Sequence, residues 1–151
     1  MYKKILLTTD GSEHSERAAK HALWIANHNN ADILVLNVFE VYTPTLAVPF
    51  STLPGSNEDM YEPLKKEGEK VAEDFIEKMK LIEGFELDKL DIQMIVREGK
   101  PHQEILKTVD ELDVDLIVMG ASGRHGFDRI ALGSVTERVV RSSKIPVMVV
   151  P

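Results

Sequence analysis

The chain has 151 residues, 43% of them hydrophobic, no cysteine and a formal net charge of −7. That is enough length for one domain with its own core, and the charge argues against a general nucleic-acid partner, because a phosphate backbone calls for a cationic surface. Without cysteine there is no disulfide framework, thiolate metal site or cysteine nucleophile, which fits a reducing, cytoplasmic compartment; the N-terminal MYKKILLTTDG has too short an apolar run for a signal peptide or a membrane span, so no membrane insertion is expected.

Lys4 to Thr9 (KILLTT) is a short branched, apolar run closed by Asp10-Gly11-Ser12, a turn and N-cap signal, and predicts a strand running into a helix. Between Glu13 and Asn29, Ala18, Ala22 and Ala26 recur every fourth position beside Leu23 and Ile25, a helical period that Asn29-Asn30 ends. His14, His21 and His28 recur every seventh residue on that helix. Two turns separate neighbours by about 10 Å, too far to share a metal ion, so they read as a solvated face. Ile33 to Phe39 (ILVLNVF) is nearly continuous in apolar residues, the pattern of a strand covered on both faces.

Tyr42 to Gly55 holds Pro44, Pro49 and Pro54, which excludes helix and central strand and predicts a loop. A charged helix is expected from about Met60 to Glu83, with Val71, Phe75, Met79 and Ile82 as its apolar stripe and Pro63 in its first turn. Asp91 to Val96 predicts a third strand, Pro101 opens a helix with Ile105, Leu106, Val109 and Leu112 on one face, and Leu116 to Met119 a fourth strand. Ser134 to Ser142 and Pro146 to Val150 complete the chain as a helix and a last strand.

Strand and helix alternate throughout. The expected fold is therefore α/β: one domain over residues 1–151, an open, mostly parallel five-stranded sheet with helices on both faces and right-handed crossovers. In such Rossmann-like sheets ligands bind outside the carboxyl ends of the strands. Thr9-Asp10, Val38-Phe39 and the segment from Gly120 onward should meet in one crevice.

That last segment is unusual. Four of the nine glycines, Gly120, Gly123, Gly126 and Gly133, fall within fourteen positions, and residues 120–144 carry a local charge of +3 while the remainder carries −10. A glycine-rich turn lets backbone N–H groups converge on an anion, and Gly133-Ser134 opens a helix whose first N–H groups point outward. Arg124, Ser134 and Thr136 are candidate side-chain donors, and His125 stands beside Arg124. The same residues also fit a plain turn with a capping box, Ser134 with Glu137. Asp10 likewise fits either a ligand or a turn cap. Walker A is absent, since no lysine precedes Ser134, and the dinucleotide fingerprint is absent from the first turn.

The spacing Gly120, Gly123, Gly133-Ser134, with nine residues from Arg124 to Leu132 between the second and third glycines, resembles the G-x2-G-x9-G-[ST] pattern of ATP-binding members of the universal stress protein family. The likeness extends to Lys4-Ile5-Leu6 with Asp10-Gly11-Ser12, to Gly99-Lys100-Pro101 with Glu104-Ile105, and to Val140 to Val150. It implies an adenine nucleotide alpha-hydrolase-like fold that binds ATP, with Mg2+, as its cofactor. The resemblance places Asp10 near ribose and adenine, Val38 on the adenine through its backbone, and Met119 in the pocket wall; Thr9 is a candidate beside Asp10 from its place at the end of the first strand. Gly120, Gly123, Arg124, Gly133, Ser134, Val135 and Thr136 would hold ribose and phosphates, with the metal ligands left open; His125, inside the glycine loop beside Arg124, fits either phosphate contact or simple exposure. Thr8 stands where many members have proline.

The function expected from this likeness is a nucleotide-dependent regulatory switch of the stress response, homodimeric through Pro146 to Val150, with unidentified protein partners. The alternative is a slow ATP hydrolase or phosphoryl-transfer enzyme in the same pocket, for which the sequence offers neither a paired acid and base nor a phosphate-clamp lysine. A phospho-acceptor receiver domain would need an aspartate ending the third strand, where Val96-Arg97-Glu98 stands instead.

Overall fold

A computed structural model describes residues 1–41, 57–122 and 132–151. The predicted Tyr42 to Gly55 loop falls outside them, as does the middle of the glycine-rich segment. The elements run β1 (Lys4–Thr8), α1 (Glu13–Asn29), β2 (Asp32–Phe39), α2 (Asn57–Lys80), a 3-10 turn (Leu87–Lys89), β3 (Ile92–Glu98), α3 (Pro101–Leu112), β4 (Leu116–Gly120), α4 (Ser134–Ser142) and β5 (Val147–Val150). The five strands form one parallel sheet in the order β3-β2-β1-β4-β5. Expected and observed fold class agree.

Period-two alternation builds two cores. Ile5 and Leu7, Ile33 and Val35, and Leu116 and Val118 pack with Ala18, Ala22, Leu23, Phe75 and Met79, which places α1 and α2 on one face. Leu6, Leu34, Leu36, Ile117 and Met119 pack with Ile105, Val109 and Val139, which places α3 and α4 on the other. The alanine row of α1 lets that helix lie close to the sheet, and it touches β4, β1 and β5.

Local chemistry sets the ends of the elements. Ser12 caps α1, accepting from the Ser15 N–H at 3.4 Å. Asn30 ends it at φ 51°, and Asp113 ends α3 at φ 51°, the left-handed conformation that Asn and Asp tolerate best after glycine. Pro101 starts α3 at its first position, where a missing N–H costs nothing.

Two details depart from expectation. α2 starts at Asn57, so Pro63 lies inside the helix and not in its first turn. The ring of Tyr61 packs edge-on against Phe39, centroids 5.7 Å apart, and this tertiary contact holds the turn before the proline in helical form against its local cost. α2 also stops at Lys80: the Leu81 and Ile82 amides bond three residues back, to Lys78 and Met79, tightening the last turn, and Gly84 then reverses the chain at φ 95°. No helix among the described residues is long and apolar enough to cross a membrane.

Candidate functional site

Strand order reverses between β1 and β4, because β2 and β3 lie to one side of β1 while β4 and β5 lie to the other. A reversal of this kind opens a crevice at the carboxyl ends of the strands. A cavity of about 410 Å³ occupies it, within the range of small-molecule sites.

The apolar lining of the cavity comes from Leu36 and Val38 of β2, Ile105 of α3 and Met119 of β4. Its polar lining includes Asp10 and Ser12 from the β1–α1 turn and Ser134, next to Gly133, at the start of α4. Thr9, Gly120, Val135 and Thr136 also line it. Nine residues singled out in the sequence are thus brought together. Phe39 is not among the lining residues and packs on Tyr61 instead. Gly123, Arg124 and His125 lie outside the described residues.

Hydrogen bonds fix this rim. The Thr9 amide donates to the Leu36 carbonyl at 2.9 Å, and Asn37 Nδ2 donates to the Thr9 carbonyl at 2.9 Å, so β1 and β2 stay joined past the end of the ladder. The Gly11 amide donates to Thr9 Oγ1, and Ser15 Oγ donates to the Ser12 carbonyl. Thr9 Oγ1 therefore donates across 3.1 Å to Ser15 Oγ. The Thr9 hydroxyl is engaged within the turn and is not offered to a ligand. Asp10 Oδ1 accepts from the Ser12 amide at 3.0 Å, which aims the turn at the cavity as an Asx turn does.

On the opposite wall, the Gly133 amide donates to the Ala121 carbonyl at 2.8 Å, and the Ala121 amide to the Val150 carbonyl at 2.7 Å. The start of α4 is held against the ends of β4 and β5. Gly133 is the N-cap, with extended backbone and no side-chain capping bond. The capping box is thus not formed: Ser134 is the first helical residue, and Glu137 pairs with Arg141 at 2.5 Å. Among the described residues no side chain caps the first turn of α4, and unpaired N–H groups at a helix start are the condition for anion binding. Thr136, expected as a side-chain donor, gives its hydroxyl proton to the Gly120 carbonyl at 2.9 Å.

Several lining residues carry no local signal of the crevice in the sequence: Pro101 and Ile105 from α3, Ser15 in the first turn of α1, and Ser122. Gly99-Lys100-Pro101 was a visible helix start, but nothing local says that it faces the crevice. His14 also departs from expectation. His21 and His28 are exposed, whereas His14 is half-buried and its Nε2 stands 3.0 Å from Ser122 Oγ.

The comparisons with known proteins follow the same lines. The universal stress protein family matches residues 1–151. The chain belongs to that family. Among its relatives, universal stress protein MJ0531 of Methanocaldococcus jannaschii is 41% identical over 152 residues, covering 99% of this chain and 82% of that protein. Universal stress protein MJ0577 of the same organism is 36% identical over 155 residues, covering 99% and 95%. A solved structure of MJ0577 superposes with a TM-score of 0.78 at 30% identity, over 99% of this chain and 96% of that one. More distant universal stress proteins share the fold: one in complex with cAMP, with a TM-score of 0.72 at 24% identity over 99% and 97% of the two chains. Another, from Archaeoglobus fulgidus in complex with dAMP, has a TM-score of 0.60 at 24% identity over 99% and 98%.

Proposed function

We propose that this universal stress protein is a nucleotide-binding regulatory module that takes ATP into the crevice between β1 and β4 and alters its association with partners according to occupancy. The observation that carries the proposal is the two-part character of the cavity. Leu36, Val38, Ile105 and Met119 give it an apolar wall suited to a flat base, and it is lined as well by Gly133-Ser134 at the start of α4, whose N-cap makes no side-chain capping bond, which suits phosphate.

The match of Gly120, Gly123, Gly133 and Ser134 to the family's ATP pattern supports the same ligand, as do the adenine nucleotides named for the two distant relatives. In this proposal Asp10 and the Val38 backbone meet the nucleoside. Gly120, Gly123, Arg124, His125, Gly133, Ser134 and Val135 surround ribose and phosphates, with Thr9, Met119 and Thr136 shaping the wall. Mg2+ characteristically rides on substrate phosphates with one or two carboxylates; among the described residues, Asp10 is the carboxylate that lines the cavity. Among the described residues no group of three acidic or histidine side chains forms a metal cage.

The edge position of β5, beside β4, makes it the strand through which two copies would pair into a homodimer. Turnover is expected to stay below about 1 s⁻¹, at the bottom of the ordinary enzyme range, because ATP acts here as an occupant. Acid extraction of purified protein, with identification of the released nucleotide, and calorimetry with ATP, ADP, AMP and GTP test the reading. Binding of ATP at about 1 μM, roughly 8 kcal/mol, is expected. Absence of both binding heat and co-purified nucleotide overturns it.

A further inference from the structure

The three histidines of α1 share a sequence interval but not a structural situation. His14 lies under the end of β4 so closely that a Cβ placed on Gly120 would stand 2.7 Å from His14 Cβ and 2.8 Å from its carbonyl carbon. Glycine at 120 is what lets the first turn of α1 approach. From there the His14 ring spans two partners: Arg17 Nη2 lies 2.8 Å from Nδ1, and Ser122 Oγ lies 3.0 Å from Nε2. Arg17 is held in turn, its Nε donating to the Pro151 carbonyl at 2.6 Å, with Glu13 3.8 Å from its Nη1.

The chemistry of these groups orients every bond. A guanidinium has only donors, so Arg17 donates and Nδ1 of His14 accepts with its lone pair. The ring proton therefore resides on Nε2, and Nε2–H donates to Ser122 Oγ. Ser122 must then send its own proton to an acceptor other than His14. Ser122 is buried, lines the cavity, and follows directly on Ala121, whose carbonyl accepts from Gly133 at the start of α4.

We propose that His14 is a positioning residue of the cavity: oriented by Arg17, it fixes Ser122 as a hydroxyl donor to a phosphate oxygen of the bound nucleotide. The proposal rests on the nucleotide reading given above and adds a donor that the glycine pattern does not contain. It also ties the quality of that donor to Arg17 and hence to the chain immediately after β5, the strand proposed as the dimer edge.

The test uses the whole chain. Ring-nitrogen NMR with isotope-labelled histidine, the His14 signal assigned by its loss in His14→Gln, should show His14 protonated on Nε2 and bare on Nδ1, and Arg17→Met should remove that fixed preference. Calorimetry with ATP and with adenosine as probes should show Ser122→Ala weakening ATP about tenfold, the loss expected for one hydrogen bond to a charged oxygen, with adenosine unaffected. Arg17→Met, changed at a half-exposed side chain away from the core, should weaken ATP severalfold and spare adenosine. His14→Gln, which keeps a donor near Ser122, should bind ATP more tightly than His14→Leu at equal thermal stability. His14 protonated on Nδ1 in the wild type overturns the proposal, and so does equal ATP affinity of wild type and Ser122→Ala. A wild type that binds neither ATP nor adenosine overturns the nucleotide reading itself and this proposal with it.

Discussion

Thr136 Oγ1 donates to the Gly120 carbonyl at 2.9 Å, so one buried side chain fastens the first turn of α4 to the last residue of β4. These two backbones form the polar wall of the cavity, and their separation decides whether phosphate meets the N–H groups of α4 at bonding distance. Thr136→Val keeps the shape and removes the bond. It should cost about 1–2 kcal/mol in urea unfolding and weaken ATP several-fold, whereas Thr136→Ser, which retains the hydroxyl, should stay near wild type in both. Equal behaviour of the two variants would mean that the bond does not hold the wall.

Gly68 is a helix-interior glycine that costs α2 intrinsic stability, about 1 kcal/mol relative to alanine. Tertiary packing reverses that preference. A Cβ at 68 would stand 2.8 Å from Asn37 Oδ1 and 3.2 Å from Val96 Cγ1, where β2 and β3 receive the helix. Asn37 is buried and holds the Thr9 carbonyl, so it cannot yield without disturbing the cavity rim. Overpacking of this kind costs about 1–3 kcal/mol, more than the helix gains. Gly68→Ala should lower the melting temperature, and a rise would show that α2 can shift outward freely.

Lys78 and Glu16 join α2 to α1 at 2.5 Å. The hydrogen bond to Glu16, and then its charge, raise the Lys78 pKa above its ordinary 10.5. A raised folded-state pKa stabilises the fold fully below the unfolded value, and the contribution is lost as pH rises through the folded one. The Lys78 side chain is 62% exposed and that of Glu16 37%, so solvent screening keeps the effect small. Lys78→Met should therefore unfold at nearly the wild-type urea concentration at neutral pH. Any small deficit should shrink in molar salt and vanish well above pH 10.5, which paired unfolding curves would check.

What the chain discloses by itself follows from which forces are local. α1 and α4 were expected at the bounds they occupy, because the alanine period, Ser12 and the Gly133-Ser134 step are written in adjacent residues. β1 and β4 are buried on both faces and read as unbroken apolar runs. β3 runs on through Arg97 and Glu98, which pair with Val38 and Phe39. Its end is set by the partner strand, and no hydrophobic signal marks it. Thr9, Asp10, Gly120 and Ser134 were legible as crevice residues because they sit at strand ends and a helix start. Ile105 and the His14–Ser122 contact were not, since the fold alone brings them there, the latter across 108 positions.

β5 pairs with β4 on one side and, among the described residues, forms the border of the sheet on the other, and its residues VMVV are apolar throughout. An apolar edge left open invites indiscriminate pairing, whereas a two-fold mate covers it and exposes no further edge. The choice of substitution matters here. Val147 packs against the Leu6 and Ile117 core, and Met148 and Val150 belong with the Ile5 and Leu7 core, so a charge at any of these would unfold as readily as it would separate. Val149 is partly exposed and belongs to neither cluster. Val149→Lys should therefore give a soluble monomer by light scattering, with circular dichroism and ATP affinity close to wild type, while the wild type is dimeric. A wild type that stays monomeric at high micromolar concentration, with and without ATP, removes β5 as the interface.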